Sequence, residues 1–435
     1  MDAEGLAREI VEELRVRGHR ALLVGGCVRD LLLERTPKDW DVATSARPDE
    51  VAATFPSSQL VGAHFGVVLV RREGAVVEVA TFRSDHDYQD GRHPTSVTFE
   101  TDPREDVLRR DFTINALLLD PADNRILDYV NGRQDLQSRL IRTVGPARRR
   151  FAEDHLRMLR AIRFAARFGF TIEAETMAAI QELSGAIQSV SAERIREELA
   201  GILTEGGARR GFELLDESGL LARILPEVAA MKGVPQPPEF HPEGDVWTHT
   251  LIMLDLMGKP PLTLAMGVLL HDVAKPPTFR VADRIRFDGH AELGARMAAG
   301  IMSRLRFSLD EIETVQALVA GHMRFRDVRT MKQSTLKRFL RTDDFDQHLE
   351  LHRIDCSSSH GQLDNWEYAR RKLLEVPPEQ LRPPRLITGE DLIAHGYRPG
   401  PQFREILEAL ETGQLEGWLK TPEDALRFVR ENYGK

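Results

Sequence analysis

The feature that most constrains the fold is a change of hydrophobic period near residue 150. Before it, apolar residues fall in short β-rich runs such as ALLV (21–24), WDVAT (40–44), AVVEVATF (75–82) and TINALLLD (113–120). An amphipathic helical pattern over residues 6–17 precedes them. From Phe151 onward the pattern is almost entirely helical, with turn signals at Gly169, Gly206-Gly207 and Gly219. The expectation is an α+β chain: a mixed sheet with helices, then all-α regions. The 435 residues exceed one ordinary core, so several domains are expected. The Pro-rich stretch GVPQPPEFHPEG (233–244) reads as a boundary, and VPPEQLRPPR (376–385) opens a helical tail. The expected domains are 1–142, 143–232, 240–375 and 376–435.

Apolar content of 42% with 29% charged residues is that of a globular protein. Two cysteines, Cys27 and Cys356, cannot build a disulfide framework, which points to a reducing cytoplasm. The acidic N-terminus lacks the apolar core of a signal peptide, and no stretch approaches the ~20 apolar residues of a membrane span. The net charge of −9 argues against nucleic acid, yet residues 133–167 hold ten arginines against three acids. A segregated basic island of this kind outweighs net charge as a guide to partners.

LVGGCVRDLLLERTPKDWDVAT (23–44) joins a buried strand, a Gly-Gly turn and a helix start to two carboxylates two residues apart. Side chains two apart on a strand share a face, so Asp39 and Asp41 repel unless a cation sits between them. Mg²⁺ shared with nucleotide phosphates is the usual solution. Gly25 and Gly26 let backbone approach those phosphates, and Arg29 offers a guanidinium to them. Singly, each is also an ordinary turn, strand end or helix-start ion pair; the combination points to nucleotide and metal.

GGCVRDLLL…PKDWDVATSA resembles the signature of the class II nucleotidyltransferases of the polymerase-β superfamily, the CCA-adding tRNA nucleotidyltransferases and bacterial poly(A) polymerases. The resemblance continues through RRDFTINAL (109–117), NGRQDLQSRLIRTVG (131–145) and EDHLRMLRAIRFAARFGF (153–170). It implies a polymerase-β-like catalytic head over 1–142 and an all-α neck and body, the RNA-binding region, over 143–232. It makes Asp39 and Asp41 the catalytic Mg²⁺ ligands, with CTP and ATP as substrates. Arg110 maps to a nucleotide contact, Asp111 to a ribose-positioning role, and Glu78 is a candidate third carboxylate.

EDHLRMLRAIRFAAR reads as one helix with Asp154, Arg157, Arg160, Arg163 and Arg167 near one face. Cytosine and adenine present an amino donor beside a ring-nitrogen acceptor; uracil and guanine present the reverse. A carboxylate beside a guanidinium matches the first pair and leaves buried groups unpaired with the second. The resemblance makes this helix a protein template, Asp154 and Arg157 reading the base and Arg160 and Arg163 reaching phosphate or bracing the pair. The arginine island would meet a tRNA acceptor stem through charge and backbone shape. SAERIREEL (191–199) reads as structural support.

FRSDHDYQDGRHPTSVTF (82–99) reads as a polar loop too long for a hairpin turn; in CCA-adding enzymes a flexible loop at this place serves the final A. An A-adding enzyme or a poly(A) polymerase is the alternative. Farther on, His249, His271-Asp272 on a helix, and Asp355 follow the order of the HD family of metal-dependent phosphohydrolases. That implies an all-α HD domain over 240–375 holding a transition metal such as Mn²⁺, Ni²⁺ or Co²⁺, with His290 and His322 leaving room for a second ion.

Overall fold

In a computed structural model the described residues are 2–61, 66–88 and 94–434. The chain divides into two compact units, Met1–Ala229 and Ala230–Lys435.

The first unit opens with α1 (Ala3–Val16), whose Leu6, Ile10, Val11 and Leu14 form one buried stripe and whose N-terminus is capped by Asp2. Then come β1 (Ala21–Val24), α2 (Gly26–Leu32), β2 (Asp41–Thr44), α3 (Pro48–Thr54), β3 (Ser58–Leu60), β4 (Val67–Arg72) and β5 (Ala75–Thr81). The run β6 (Arg83–Tyr88), β7 (Pro94–Phe99), α4 (Pro103–Leu108), β8 (Leu118–Asp120) and β9 (Arg125–Leu127) completes the sheet region. Among the described residues the main sheet has seven strands in the order β3-β4-β5-β2-β1-β8-β9. All four β1 residues are buried because both faces are covered. Ala21 and Leu23 pack with α1, while Leu22 and Val24 pack with Phe82, Val107 and Leu118 on the other face. A strand covered on both sides reads as a continuous apolar run, as ALLV does.

Three expectations need correction here. TINALLLD is not one strand: Thr113–Asn115 form a 3₁₀ turn and only Leu118–Asp120 enter the sheet. The 82–99 segment is not a loop. β6 and β7 pair antiparallel from Arg83↔Phe99 to Tyr88↔Pro94, and residues 89–93 lie outside the described residues. The strand β6 is built of polar residues, Arg83, Ser84 and Asp85 among them, so it lacks the apolar alternation that announces a strand. The 153–167 helix is broken. A helix over Ala147–Glu153 ends at Asp154, which has φ −150° and ψ 107°, and a new one runs from Arg157 to Phe168.

In the second unit His249, His290 and Asp355 lie on the helices Val246–Leu256, His290–Arg304 and Phe345–Ser358, and His322 just past the end of Leu309–Gly321. His271 and Asp272 stand just past the end of Leu262–Leu270, in a turn rather than on the helix. The tail helices Pro401–Glu416 and Pro422–Tyr433 share an apolar cluster with Ile387 and Leu392. Arg338 and Arg341 both bind Glu411, tying the helix Gln333–Leu340 to this tail. No helix among the described residues is long and apolar enough to cross a membrane.

Candidate active site and metal centre

The first site forms where β1 ends and β2 begins, alongside the middle of β5. Trp40 is buried in the core, so its neighbours Asp39 and Asp41 point outward, Asp39 just ahead of the strand and Asp41 as its first residue. β2 runs parallel to β5 in a register that sets Asp41 opposite Glu78. Burial, then Glu78, then Asp39 raise the Asp41 carboxyl to about 6, against the pull of Arg110. Three carboxylates in one region are the hard oxygen donors a divalent cation takes, although their oxygens do not all lie within 4.8 Å of one another.

Gly25 closes the site from the side of β1. Its φ of +79° is left-handed, and a Cβ there would stand 3.3 Å from Arg110 Nη1 and 3.9 Å from Asp41 Oδ2. Gly26 follows as the first residue of α2. Arg110 is aimed by Asp106, which has no exposed surface. One carboxylate oxygen accepts from Arg110 Nη2 at 2.9 Å and the other from Arg109 Nη2 at 2.6 Å. Burial opposes ionisation of Asp106, but the two guanidiniums outweigh it and hold its carboxyl below the usual range.

Arg29 lies beside Gly26, where an added Cβ would stand 3.6 Å from its Nη2. It is buried, donates to Asp30 and to Asn115 Oδ1 at 2.5 Å, and lies over the Phe168 ring at 4.7 Å. A guanidinium held by an aromatic ring and two acceptors has a structural role here alongside the expected phosphate contact.

The expected base-reading pair is also rearranged. Asp154 receives a bidentate contact from Arg194, Nη2 to Oδ2 at 2.7 Å and Nη1 to Oδ1 at 3.2 Å, and its Oδ1 accepts from Leu156 N. The Arg157 guanidinium instead binds Glu153 Oε2 at 2.7 Å and the carbonyl of Arg150. Arg160 donates to Asp111 at 2.8 Å and Arg163 to Glu198 at 2.7 Å, with Glu205 at 3.3 Å. Burial of Asp111 is outweighed by Arg160 and Arg157, which bring its carboxyl down to about 2. The arginine island is therefore largely offset. Glu153 takes Arg149, Arg150 and Arg157, Asp135 and Glu173 take Arg142, and Glu182 takes Arg148. Arg148 and Arg149 nevertheless keep three-quarters of their side-chain surface exposed. Arg194, in the stretch read as mere support, is the residue that sequence reasoning missed.

In the second unit, His249, His271 and Asp355 offer ligand atoms within 4.8 Å of one another, and so do Asp272, His290 and His322. The Nε2 atoms of His249 and His271 are buried without a hydrogen bond, 3.2 and 3.1 Å from carboxylate oxygens of Asp355 and Asp272. Orphaned imidazole nitrogens facing carboxylates fit a transition metal. Asp272 joins the two groups: Oδ2 meets His271 and Lys275, and Oδ1 faces His290 at 3.7 Å and His322 at 3.9 Å. Burial works against a charged His249, but Asp355 and Glu243 hold it up at about 9. Burial and the neighbouring His271 push His322 down to about 4. Asp272, His290, His322 and Asp355 border a cleft of about 770 Å³ whose wall includes Lys275, Phe287, Arg326 and Arg329. Lys275, His241 and Glu243 had no place in the sequence-based site.

Comparison with known proteins bears on both units. Residues 21–142 match the family described as Poly A polymerase head domain, 169–232 the probable RNA and SrmB-binding site of polymerase A, and 245–347 the HD domain. The chain is 46% identical over 220 residues to a CCA-adding enzyme of Geobacillus thermodenitrificans, covering 51% of this chain and 54% of that one. It is 40% identical over 258 residues to one of Lactobacillus johnsonii, covering 58% and 64%. It thus spans about half the length of the curated relatives it matches. Its fold resembles that of the Bacillus stearothermophilus CCA-adding enzyme in complex with CTP, with TM-score 0.75, 26% identity and coverage of 98% and 97%. The Thermotoga maritima CCA-adding enzyme complexed with tRNA shares the fold at TM-score 0.61 and 20% identity, covering 99% and 95%.

Proposed function

We propose that this chain, which belongs to the family of CCA-adding enzymes and bacterial poly(A) polymerases, adds C, C and A to the 3′ end of tRNA from CTP and ATP without a nucleic-acid template. The observation that carries this is the convergence of Asp41, Glu78 and Arg110 on the space Gly25 leaves open. In the reaction the 3′-terminal hydroxyl of the RNA attacks the α-phosphorus of the nucleotide. A new P–O bond forms, the bond to the β-phosphate breaks, and pyrophosphate leaves with the charge. Asp39 and Asp41, with Glu78 beside them, would hold Mg²⁺, which supplies a Lewis acid for the hydroxyl and for the departing pyrophosphate. Arg110, aimed by Asp106, binds the triphosphate, and Gly25 and Gly26 give it room.

Asp154 and Arg157 supply the carboxylate and guanidinium that suit C and A, once the base competes with Arg194 for Asp154 and with Glu153 for Arg157. Arg160 and Arg163 brace this region through Asp111 and Glu198. Arg148 and Arg149, which keep most of their side-chain surface exposed despite their ion pairs, and the exposed Arg133 and Arg139 are the cations offered to the acceptor stem. In the second unit His249, His271, Asp272 and Asp355 would hold Mn²⁺, Ni²⁺ or Co²⁺, a metal that activates water against a phosphate ester. Such an enzyme works in the cytoplasm. The test is extension of a tRNA that ends at the discriminator base, with labelled CTP and ATP against UTP and GTP, and product length read on a gel. Three added nucleotides fit this reading. One nucleotide or a long homopolymer would replace it with A-addition or poly(A) synthesis.

A further inference from the structure

The Pro-rich segment 233–244 reads as a linker and precedes the HD match, which begins at residue 245. In the structure it is a strap closed on itself. Pro235 and Asp245 form an isolated antiparallel bridge, Val246 N donates to Val234 O, and Gly233 N donates to Asp245 Oδ2. Both ends are thereby pinned at the first turn of the helix that carries His249. Three strap side chains turn inward. Gln236 is buried, and its Oε1 accepts from Lys275 Nζ at 2.5 Å. Glu243 Oε1 accepts from two imidazoles at once, His249 Nδ1 at 2.7 Å and His241 Nδ1 at 2.9 Å. The two rings meet edge to face at 4.9 Å, and His241 lines the cleft.

An imidazole that donates its Nδ1–H to a carboxylate offers, once a metal displaces the Nε2 proton, an Nε2 lone pair fixed in direction by the other bond. His249 Nε2 faces Asp355 Oδ1 at 3.2 Å, on the side of His271. We propose that Glu243 is a positioning residue of the second unit's metal centre. It locks the tautomer and ring plane of His249 for ligation through Nε2, and by the same oxygen it turns His241 toward the cleft. The proposal rests on reading the His249, His271 and Asp355 group as a metal centre.

The rival arrangement puts a metal among His241, Glu243 and His249 themselves, since their atoms also lie within 4.8 Å. His249 would then use Nδ1 for that ion and, as an imidazolate, Nε2 for a second. The two short contacts to a single oxygen are those of N–H donors sharing an acceptor, which favours the positioning role. Glu243 Oε2 and Gln236 Nε2 remain buried without a partner, so the strap is not arranged for hydrogen-bonding economy alone.

The test uses the full chain, stripped of metal and titrated with Co²⁺ by visible absorption and with Mn²⁺ by calorimetry. Glu243→Ala is expected to bind about 10–100-fold more weakly than wild type, as removal of an outer-shell partner does, and to melt lower even without metal, because the buried His249 Nδ1–H loses its acceptor. Glu243→Gln keeps the shape and an acceptor oxygen, so it should lose less affinity; it carries the test if the alanine variant fails to fold. His241→Ala should leave the Co²⁺ spectrum and affinity as they are. A wild type that binds neither ion removes the metal-centre reading itself. A wild type that binds, beside Glu243 variants that bind equally well, overturns the positioning role alone. Loss of affinity in His241→Ala equal to that in His249→Ala makes His241 a ligand and overturns the proposal in favour of the rival.

Discussion

Arg194 holds Asp154 by both oxygens, at 2.7 and 3.2 Å, and so occupies the carboxylate proposed to read the incoming base. Base reading and this ion pair compete for the same acceptor. Asp154→Ala should lower the preference for CTP over UTP by several orders of magnitude, up to the roughly 10⁴–10⁵-fold discrimination a hydrogen-bonding site supplies. Arg194→Ala leaves the acceptor in place but untethered, so its loss should be smaller. Incorporation ratios under competing nucleotides measure both. An Asp154→Ala enzyme of undiminished selectivity would falsify the base-reading role.

The raised carboxyl of Asp41 predicts a pH dependence of Mg²⁺ binding. Its value of about 6, set by burial and by Glu78, means that protons compete with the cation as pH falls through 6. Apparent Mg²⁺ affinity, followed by the activity midpoint in Mg²⁺ titrations from pH 5 to 8, should weaken below pH 6 and level off above 7. The linked stability has the opposite sign. A carboxyl with its folded value raised contributes stability below the unfolded value near 3.8, lost as pH rises through 6. Mg²⁺ should therefore raise the melting temperature more at pH 7.5 than at pH 5.5.

Asp106 sits under two guanidiniums with no exposed surface. Replacing it by Ala leaves Arg109 and Arg110 facing each other, and breaking a buried pair from one side costs about 3–5 kcal/mol. Both guanidiniums keep about a fifth of their surface exposed, so the lower figure applies. The variant should melt lower and, because Arg110 loses its aim, show a raised KM for CTP and ATP alike. Unchanged KM values would separate Asp106 from nucleotide binding.

Gly25→Ala should cost activity more than stability. At φ +79° and ψ −128°, outside the left-handed helical well, a Cβ-bearing residue costs roughly 1–3 kcal/mol, a loss a denaturation curve would show. The added methyl would press on Arg110 Nη1 at 3.3 Å, beside Asp41. Activity should fall by at least tenfold while the fold persists, as circular dichroism and single-turnover rates would show.

What the sequence makes legible is whatever lies close along the chain. Gly25, Asp39 and Asp41 fall within 17 residues, and the alternation around a buried Trp40 aims the two carboxylates the same way. The residues that escape are those whose role depends on a distant partner. Arg29 reads as a phosphate ligand alone, and its structural hold on Asn115 and Phe168, far along the chain, does not show. Arg194 sits 40 residues from Asp154, and no local spacing announces that pairing. The arginine island looks free because its partners Glu173, Glu182, Glu198 and Glu205 come from later helices. His241 and Glu243 hide among prolines, where composition says linker and only the bridge between Pro235 and Asp245 says otherwise.

Asp41 and Glu78 stand opposite each other in one of the few parallel pairings of the first unit, between strands separated by α3, β3 and β4. Their spacing is written in the ladder of backbone hydrogen bonds and not in the number of residues between them. The loops among the intervening 36 positions can lengthen, shorten or drift in composition without moving one carboxylate relative to the other, whereas Val42–Thr44 and Ala75–Val77 belong to the two paired strands themselves. A slip of that ladder by a single residue would instead turn Glu78 toward the core and Val77 or Val79 toward the opening. The chemistry of this unit is thus most tolerant where the chain is longest and most fragile in the phase of one strand.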